Sequence, residues 1–203
     1  PDPCETRDCA PDFKPADRYR YNHDTNVLVS NYSVSADVLV IMGATPVESC
    51  NSYEAITKID DLSWVLRNTT GVQDVLSIAT VTKMVATNMN EGSLKWRTIS
   101  RDPFVLNNAM SYTPRTLYNM DCSLTSVYVF LDDHKAETLT RVTQVIENYE
   151  ANNTEKDVIT FKLASGNAGI DAATNQIVEA SQTPMLILVY GVVIAACLIA
   201  FRA

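Results

Sequence analysis

An α+β sandwich followed by a membrane helix is the fold this sequence predicts, and three observations predict it. Two stretches of the 203-residue chain each read strand, helix, strand. A long connection, 80–121, separates them and lacks clear strand runs. Residues 185–201, MLILVYGVVIAACLIAF, then continue for 17 residues without a charge.

The elements follow in order. Residues 1–26 carry Pro1, Pro3, Pro11 and Pro15 among many charges and read as an irregular lead-in. Residues 27–34 (VLVSNYSV) alternate apolar and polar, which predicts a short edge strand. Residues 37–43 (DVLVIMG) read as a buried strand by their aliphatic run. Asn51, with Glu54 three residues on, has the spacing of a capping box. Tyr53, Ile56, Ile59, Leu62 and Leu66 recur at spacings of three and four, one face of a helix of about 15 residues. Gly71 lies just past its end, where a positive φ is wanted. Residues 72–79 complete the first unit as a strand.

The second unit starts with the strand 124–131 (LTSVYVFL). Asp132 or Asp133 is placed to cap the next helix, whose buried stripe is Leu139, Val142, Ile146 and Tyr149. Residues 158–163 (VITFKL) close it. Two such units in one compact body predict a ferredoxin-like split βαβ sandwich, with right-handed crossovers placing both helices on the same sheet face. The domain is expected over 27–165. Its insertion, 80–121, bears Lys83, Lys95, Arg97, Arg101 and Arg115 against Glu91, Asp102 and Asp121, a local net charge of +2. With Met84, Met89, Trp96, Phe104 and Met110 it reads as short helices, either a small core beneath a long connection or an adaptable flap over a substrate path.

Residues 166–203 are expected to be a helix running into the bilayer, with 185–203 as the membrane segment. Ile170, Ala173, Ile177 and Ala180 mark one face of the approach, and Pro184 a kink or the point where the helix meets the membrane. A 17-residue helix rises about 26 Å, a little under the ~30 Å hydrocarbon core. The run lies too far from the N-terminus for a secretory signal, and the competing reading is a buried core helix. On the membrane reading the chain is a fragment, a soluble domain with the membrane helix after it. Arg202 at the far end places the large domain outside by the positive-inside rule.

Composition narrows the function. The net charge is −8. That argues against a nucleic-acid partner, since phosphates call for a basic face. Cys197 falls in the apolar run. Cys4, Cys9, Cys50 and Cys122 form an even set outside it, and none lies in a C-x-x-C, so zinc and dithiol redox chemistry are not indicated. Four cysteines allow three pairings; Cys4–Cys9, which is local, and Cys50–Cys122 are favoured, and the competing reading is four unpaired buried thiols. Such bridges imply an oxidising compartment.

Catalytic constellations are missing. His23 and His134 have no nucleophile or ligand set at a working spacing. Asp60 and Asp61 are adjacent mid-helix and so do not face one another; they read as a solvated face. SGNAG (165–169) lacks the glycine spacing of a dinucleotide or phosphate loop. Sequons start at Asn31, Asn68 and Asn152, and such tripeptides arise often by chance. No enzyme, metal site or cofactor is expected.

Several stretches together resemble a known family. HDTN (23–26), VSADVL (34–39), NEGSLKWR (90–97), DHKAETLTRV (133–142) and ASGNAGIDAATNQIVEA (164–180), running into PMLILVYG, resemble the large extracytoplasmic loop of resistance-nodulation-division (RND) transporters, in the MMPL-like branch of exporters. Cys50 and Cys122 also resemble positions where such sequences carry cysteine. The resemblance covers the chain from about residue 20 onward, and it fits the second periplasmic loop better than the first. It implies an RND porter-type domain in the periplasm of a bacterial inner-membrane protein that couples proton flow to export of lipids or other hydrophobic compounds. The implied partners are the rest of the transporter chain, membrane lipid, a hydrophobic substrate and, in a homo-oligomer, a second copy. The proton-relay acids of that family lie in other membrane helices. Two alternatives share the layout: an extracytoplasmic sensor domain of a single-pass signalling protein, and a membrane-anchored assembly partner.

Overall fold

A computed structural model describes residues 37–133, 135–165 and 167–202, together with Asp24 and Val27. The expected edge strand at 27–34 and the lead-in lie outside the described residues, Asp24 and Val27 apart. The elements are β1 (Val38–Ala44), α1 (Tyr53–Arg67), β2 (Val72–Leu76), α2 (Ile78–Met89), α3 (Pro103–Ser111), β3 (Leu124–Leu131), α4 (Ala136–Ala151), β4 (Thr160–Ser165) and α5 (Asn167–Phe201). Short 3-10 turns occur at Leu94–Trp96 and Arg115–Leu117.

The strands form a four-stranded sheet in the order β2-β3-β1-β4, and every neighbouring pair is antiparallel. β1 therefore runs parallel to β2 with β3 between them, and β3 parallel to β4 with β1 between them. β1 meets β3 from Val38↔Phe130 to Ala44↔Leu124 without a break. Its register with β4 shifts between Val40 and Ile41.

The aliphatic runs at β1 and β3 look buried throughout, but the structure buries them on one face only. Leu39 and Ile41, with Val127, Val129 and Leu131, are fully enclosed, while Val38, Val40, Met42, Tyr128 and Phe130 are half-buried on the other face. The two-residue period of a strand explains the split. α1 covers the enclosed face through Ile56, Ile59, Leu62 and Leu66, and α4 through Leu139, Val142 and Ile146. Tyr149, expected on that stripe, is half-buried; its ring stands edge-on to Phe161, centroids 5.8 Å apart.

Helix starts account for most of the departures from the sequence reading. α1 is capped by Ser52, whose Oγ accepts from the Ala55 amide at 3.2 Å; the Asn51–Glu54 capping box does not form. β2 ends at Leu76 rather than 79, because Ser77 caps α2 and accepts from the Thr80 amide. α4 is preceded by Lys135 at the cap position, with no side-chain cap. Asp133 stands two residues earlier, where its Oδ1 accepts from the Lys135 amide at 3.2 Å. Gly71 does adopt a positive φ, +97°.

The insertion begins at α2 and is mostly helical. Leu106, Ala109 and Leu117 are buried, and Leu106 and Leu117 join the single core of the sandwich, so no separate small core forms there. Met84, Met89, Trp96 and Phe104 are exposed, and Met110 is half-buried.

α5 packs against α4, β1 and β4. A Cβ placed at Gly169 would lie 3.6 Å from Leu39 Cδ1. Every described side chain from Ile170 to Arg202 is exposed, including Ile170, Ala173, Ile177 and Ala180, so the expected face of the approach does not pack on the sandwich. The helix passes through Pro184 without ending.

Candidate functional site

Two features stand apart from ordinary packing: the seam where the insertion returns to the sheet, and the apolar end of α5. The seam is closed covalently. Cys50, fully buried, is bridged to Cys122, 72 positions on in sequence, with their Cα atoms 5.0 Å apart. The Cys50 amide also donates to the Cys122 carbonyl (2.9 Å), and the Glu48 amide to that of Asp121 (2.9 Å). Cys122 and Glu48 both hold positive φ, +46° and +59°. Such conformations persist in non-glycine residues only where the surroundings fix them, and here the bridge and the backbone bonds do so. Cys4 and Cys9 lie outside the described residues. Cys197 is exposed on α5.

Two further contacts tie the insertion to the first turn of α1. Asn51 Nδ2 donates to Asn107 Oδ1 at 2.5 Å. The Arg101 guanidinium lies 5.1 Å from the centre of the Tyr53 ring. The guanidinium beside it, and then Thr57, hold the Tyr53 hydroxyl below its ordinary pKa. These pairs are more than 45 residues apart in sequence, and no local pattern marks them.

Around the Asn51–Asn107 bond the surface opens into two recesses. One of ≈ 330 Å³ is lined by Ser52, Tyr53, Glu54, Arg101 and Leu106. The other, ≈ 500 Å³, is lined by Val47, Glu48, Met120, Asp121 and Cys122. The second is largely polar, while the first is lined by polar and apolar surface alike. An apolar groove of ≈ 300 Å³ lies between α4 and β4, with Ile146, Phe161 and Leu163 as its floor and Glu147 and Glu150 at its edge.

The acids expected to be a solvated face are partly engaged. Asp60 pairs with Lys83 of α2 at 2.5 Å. The Asp61 carboxyl, at the α1 surface, is raised above the usual range by local loss of water and then by the Asp60 charge. Of the two, only Asp60 forms an ion pair among the described residues. His23 and His134 lie outside the described residues, and no group of three or more His, Cys, Asp or Glu suited to a metal occurs among those described. SGNAG begins at the last residue of β4 and runs into the first turn of α5, where a Cβ at Gly169 would make only ordinary contact with Leu39. Asn68 and Asn152 sit at the C-caps of α1 and α4, where each side-chain amide donates to a carbonyl of its own helix.

The far end of α5 is chemically the simplest part of the molecule. Residues Ala180–Phe201 form 22 helical residues of mean hydropathy 2.6, long and apolar enough to cross a membrane, and none of the span is covered by the rest of the chain. In water such a surface is unfavourable by roughly 25 cal/mol per Å², which a bilayer relieves.

No protein-family model matches the chain, and no characterised protein or solved structure matches it either.

Proposed function

We propose that the chain is the extracytoplasmic porter domain, with the membrane helix that follows it, of a proton-driven RND exporter of the MMPL-like kind, moving lipids or other hydrophobic compounds. The observation that carries the reading is the direct run from β4 through one uninterrupted 35-residue helix into an uncovered apolar span. A rigid sandwich fixed to such a helix follows any tilt of the helix in the bilayer, which is how a porter body is rocked. Strand order supports the reading as well: β2-β3-β1-β4, all antiparallel and with α1 and α4 on one face, fits a ferredoxin-like split βαβ arrangement. The Cys50–Cys122 bridge supports an oxidising compartment such as the periplasm. The span itself carries no acid, so this helix contributes mechanical coupling while proton relay falls to other helices of the transporter.

The test is to read the coding sequence on both sides of this segment, then assay transport. Flanking membrane helices, one of them with a buried acid, together with protonophore-sensitive export of a lipophilic dye from cells, support the proposal. A signalling module directly after the span, or export that persists without a proton gradient, overturns it.

A further inference from the structure

The stretch from Ser93 to Phe104 combines features that ordinary surface chain does not. Leu94, Trp96 and Phe104 are 74%, 49% and 78% exposed. Lys95, Arg97 and Arg101 are exposed among them, and none has a carboxylate partner among the described residues. The one acid in the stretch, Asp102, is engaged in capping α3, its Oδ1 accepting from the Phe104 amide at 2.9 Å. The segment is also held in place. Ile99 packs on the core at its middle, a 3-10 turn shapes Leu94–Trp96, and Arg101 rests on Tyr53. A surface already ordered loses little freedom when something binds it. Exposed Trp and Arg are the residue types that anchor interfaces.

Position decides what binds. β4 runs from Thr160, opposite Ala44, to Ser165, opposite Val40, and α5 leaves from that second end. The insertion leaves β2 at Leu76, level with Val40, but rejoins the sheet at Leu124 of β3, opposite Ala44 at the first end, and its Arg101 rests on Tyr53 at the start of the helix that follows Ala44. A strand of seven residues separates the two ends by about 20 Å, so, resting on the membrane reading of α5 proposed above, the stretch lies at the end of the sheet remote from the one where α5 leaves for the bilayer. Anionic headgroups of that bilayer are therefore the wrong occupant, while the unpaired cations call for negative charge.

We propose that residues 93–104 are a docking surface for a different protein, one whose contacting face sets apolar residues among Asp and Glu. Leu94, Trp96 and Phe104 form the apolar anchors, and Lys95, Arg97 and Arg101 select the partner by charge. The test places a photoreactive benzoylphenylalanine at Trp96 in the full-length protein, in the cells that make it, and maps the crosslinked peptide by mass. The expected adduct is a second protein, joined at a peptide with acidic residues beside apolar ones. Its yield falls about tenfold with Lys95→Glu and Arg97→Glu together, and recovers when the mapped partner acids are changed to Lys. Formation of the Cys50–Cys122 bridge in the charge variant reports that it has folded. An adduct to lipid or to a second copy of this chain, an adduct indifferent to the charge reversal, or no adduct from either Trp96 or Phe104 overturns the proposal.

Discussion

At the scale of single residues, two glycines separate conformational from steric demands. Gly71 has φ +97°, and a Cβ there would meet Thr138 Cγ2 at 2.5 Å. Gly92 has φ +76° with nothing within 4 Å. Gly71→Ala therefore carries both a left-handed penalty and a collision between the α1–β2 turn and α4, and is expected to destabilise by about 2–3 kcal/mol. Gly92→Ala carries the first alone, about 1 kcal/mol. Urea denaturation of both variants in detergent checks the ranking, and equal losses would remove Thr138 from the account. Tyr149 gives a pH prediction. Its hydroxyl donates to the Lys58 carbonyl at 3.2 Å. Burial, then the Asp61, Glu150 and Glu155 charges, push its pKa up to about 12. The folded state thus holds the phenolic proton more tightly than the unfolded chain, where it leaves near pH 10. Its contribution is complete below that pH and is lost as pH rises from about 10 through 12. Asp133 has the opposite sign: Lys135 and then Thr138 hold its carboxyl at about 2, so its contribution is complete above about pH 4 and fades as pH falls toward 2. Denaturation midpoints of wild type and Tyr149→Phe from pH 8 to 12 should differ in slope only above pH 10; parallel curves would mean that Tyr149 titrates alike in both states.

At the scale of elements, the disulfide and the seam act together. The bridge closes a loop spanning 72 residues, and the chain-entropy model puts its contribution at about 4 kcal/mol. Because both partners sit where the insertion rejoins the sheet, its removal should be felt locally as well. In a Cys50→Ala, Cys122→Ala double variant the Glu48 and Cys50 amides, which donate across the seam, should exchange with solvent markedly faster. The amides of α4 should change only with global stability. Unchanged protection at Glu48 and Cys50 would show that the Asn51–Asn107 and Arg101–Tyr53 contacts hold the seam alone. This is also where the sequence was hardest to read. The stripe Ile56, Ile59, Leu62, Leu66 sits at helical spacing and so announces α1, but Asn51 and Ser52 are both good caps and only packing chose between them. Asn51 was drawn to Asn107, a partner 56 residues away, which no local pattern encodes. Ser77 was legible in principle as a cap; the apolar run of 72–79 hid it, since Ile78 and Ala79 are buried in a helix as readily as in a strand.

At the scale of the whole molecule, the two strand–helix–strand stretches share one antiparallel sheet, ordered β2-β3-β1-β4. A sheet covered by helices was legible from the alternation of strand-like and helix-like stretches. Where the insertion's apolar side chains would lie was not, because Met, Trp and Phe read alike whether they fill a core or face outward; the structure leaves Trp96 and Phe104 exposed. The apolar end of α5 is the feature with the largest consequence for the molecule. As the core helix of a soluble protein it would be covered, and it is wholly uncovered. Placing Asp at Val189 and Val193, on one face near the centre of Ala180–Phe201, adds two charges at about 2.5–3.5 kcal/mol each for a helix inside a bilayer. With residues 1–203 expressed alone, the double variant should move from the carbonate-resistant membrane pellet to the supernatant or be degraded, while Pro184→Ala should stay in the pellet. A helix that instead lay along a protein surface would accept two aspartates on a solvent face at little cost. Wild type and double variant would then partition alike, and α5 would need a protein partner to cover it.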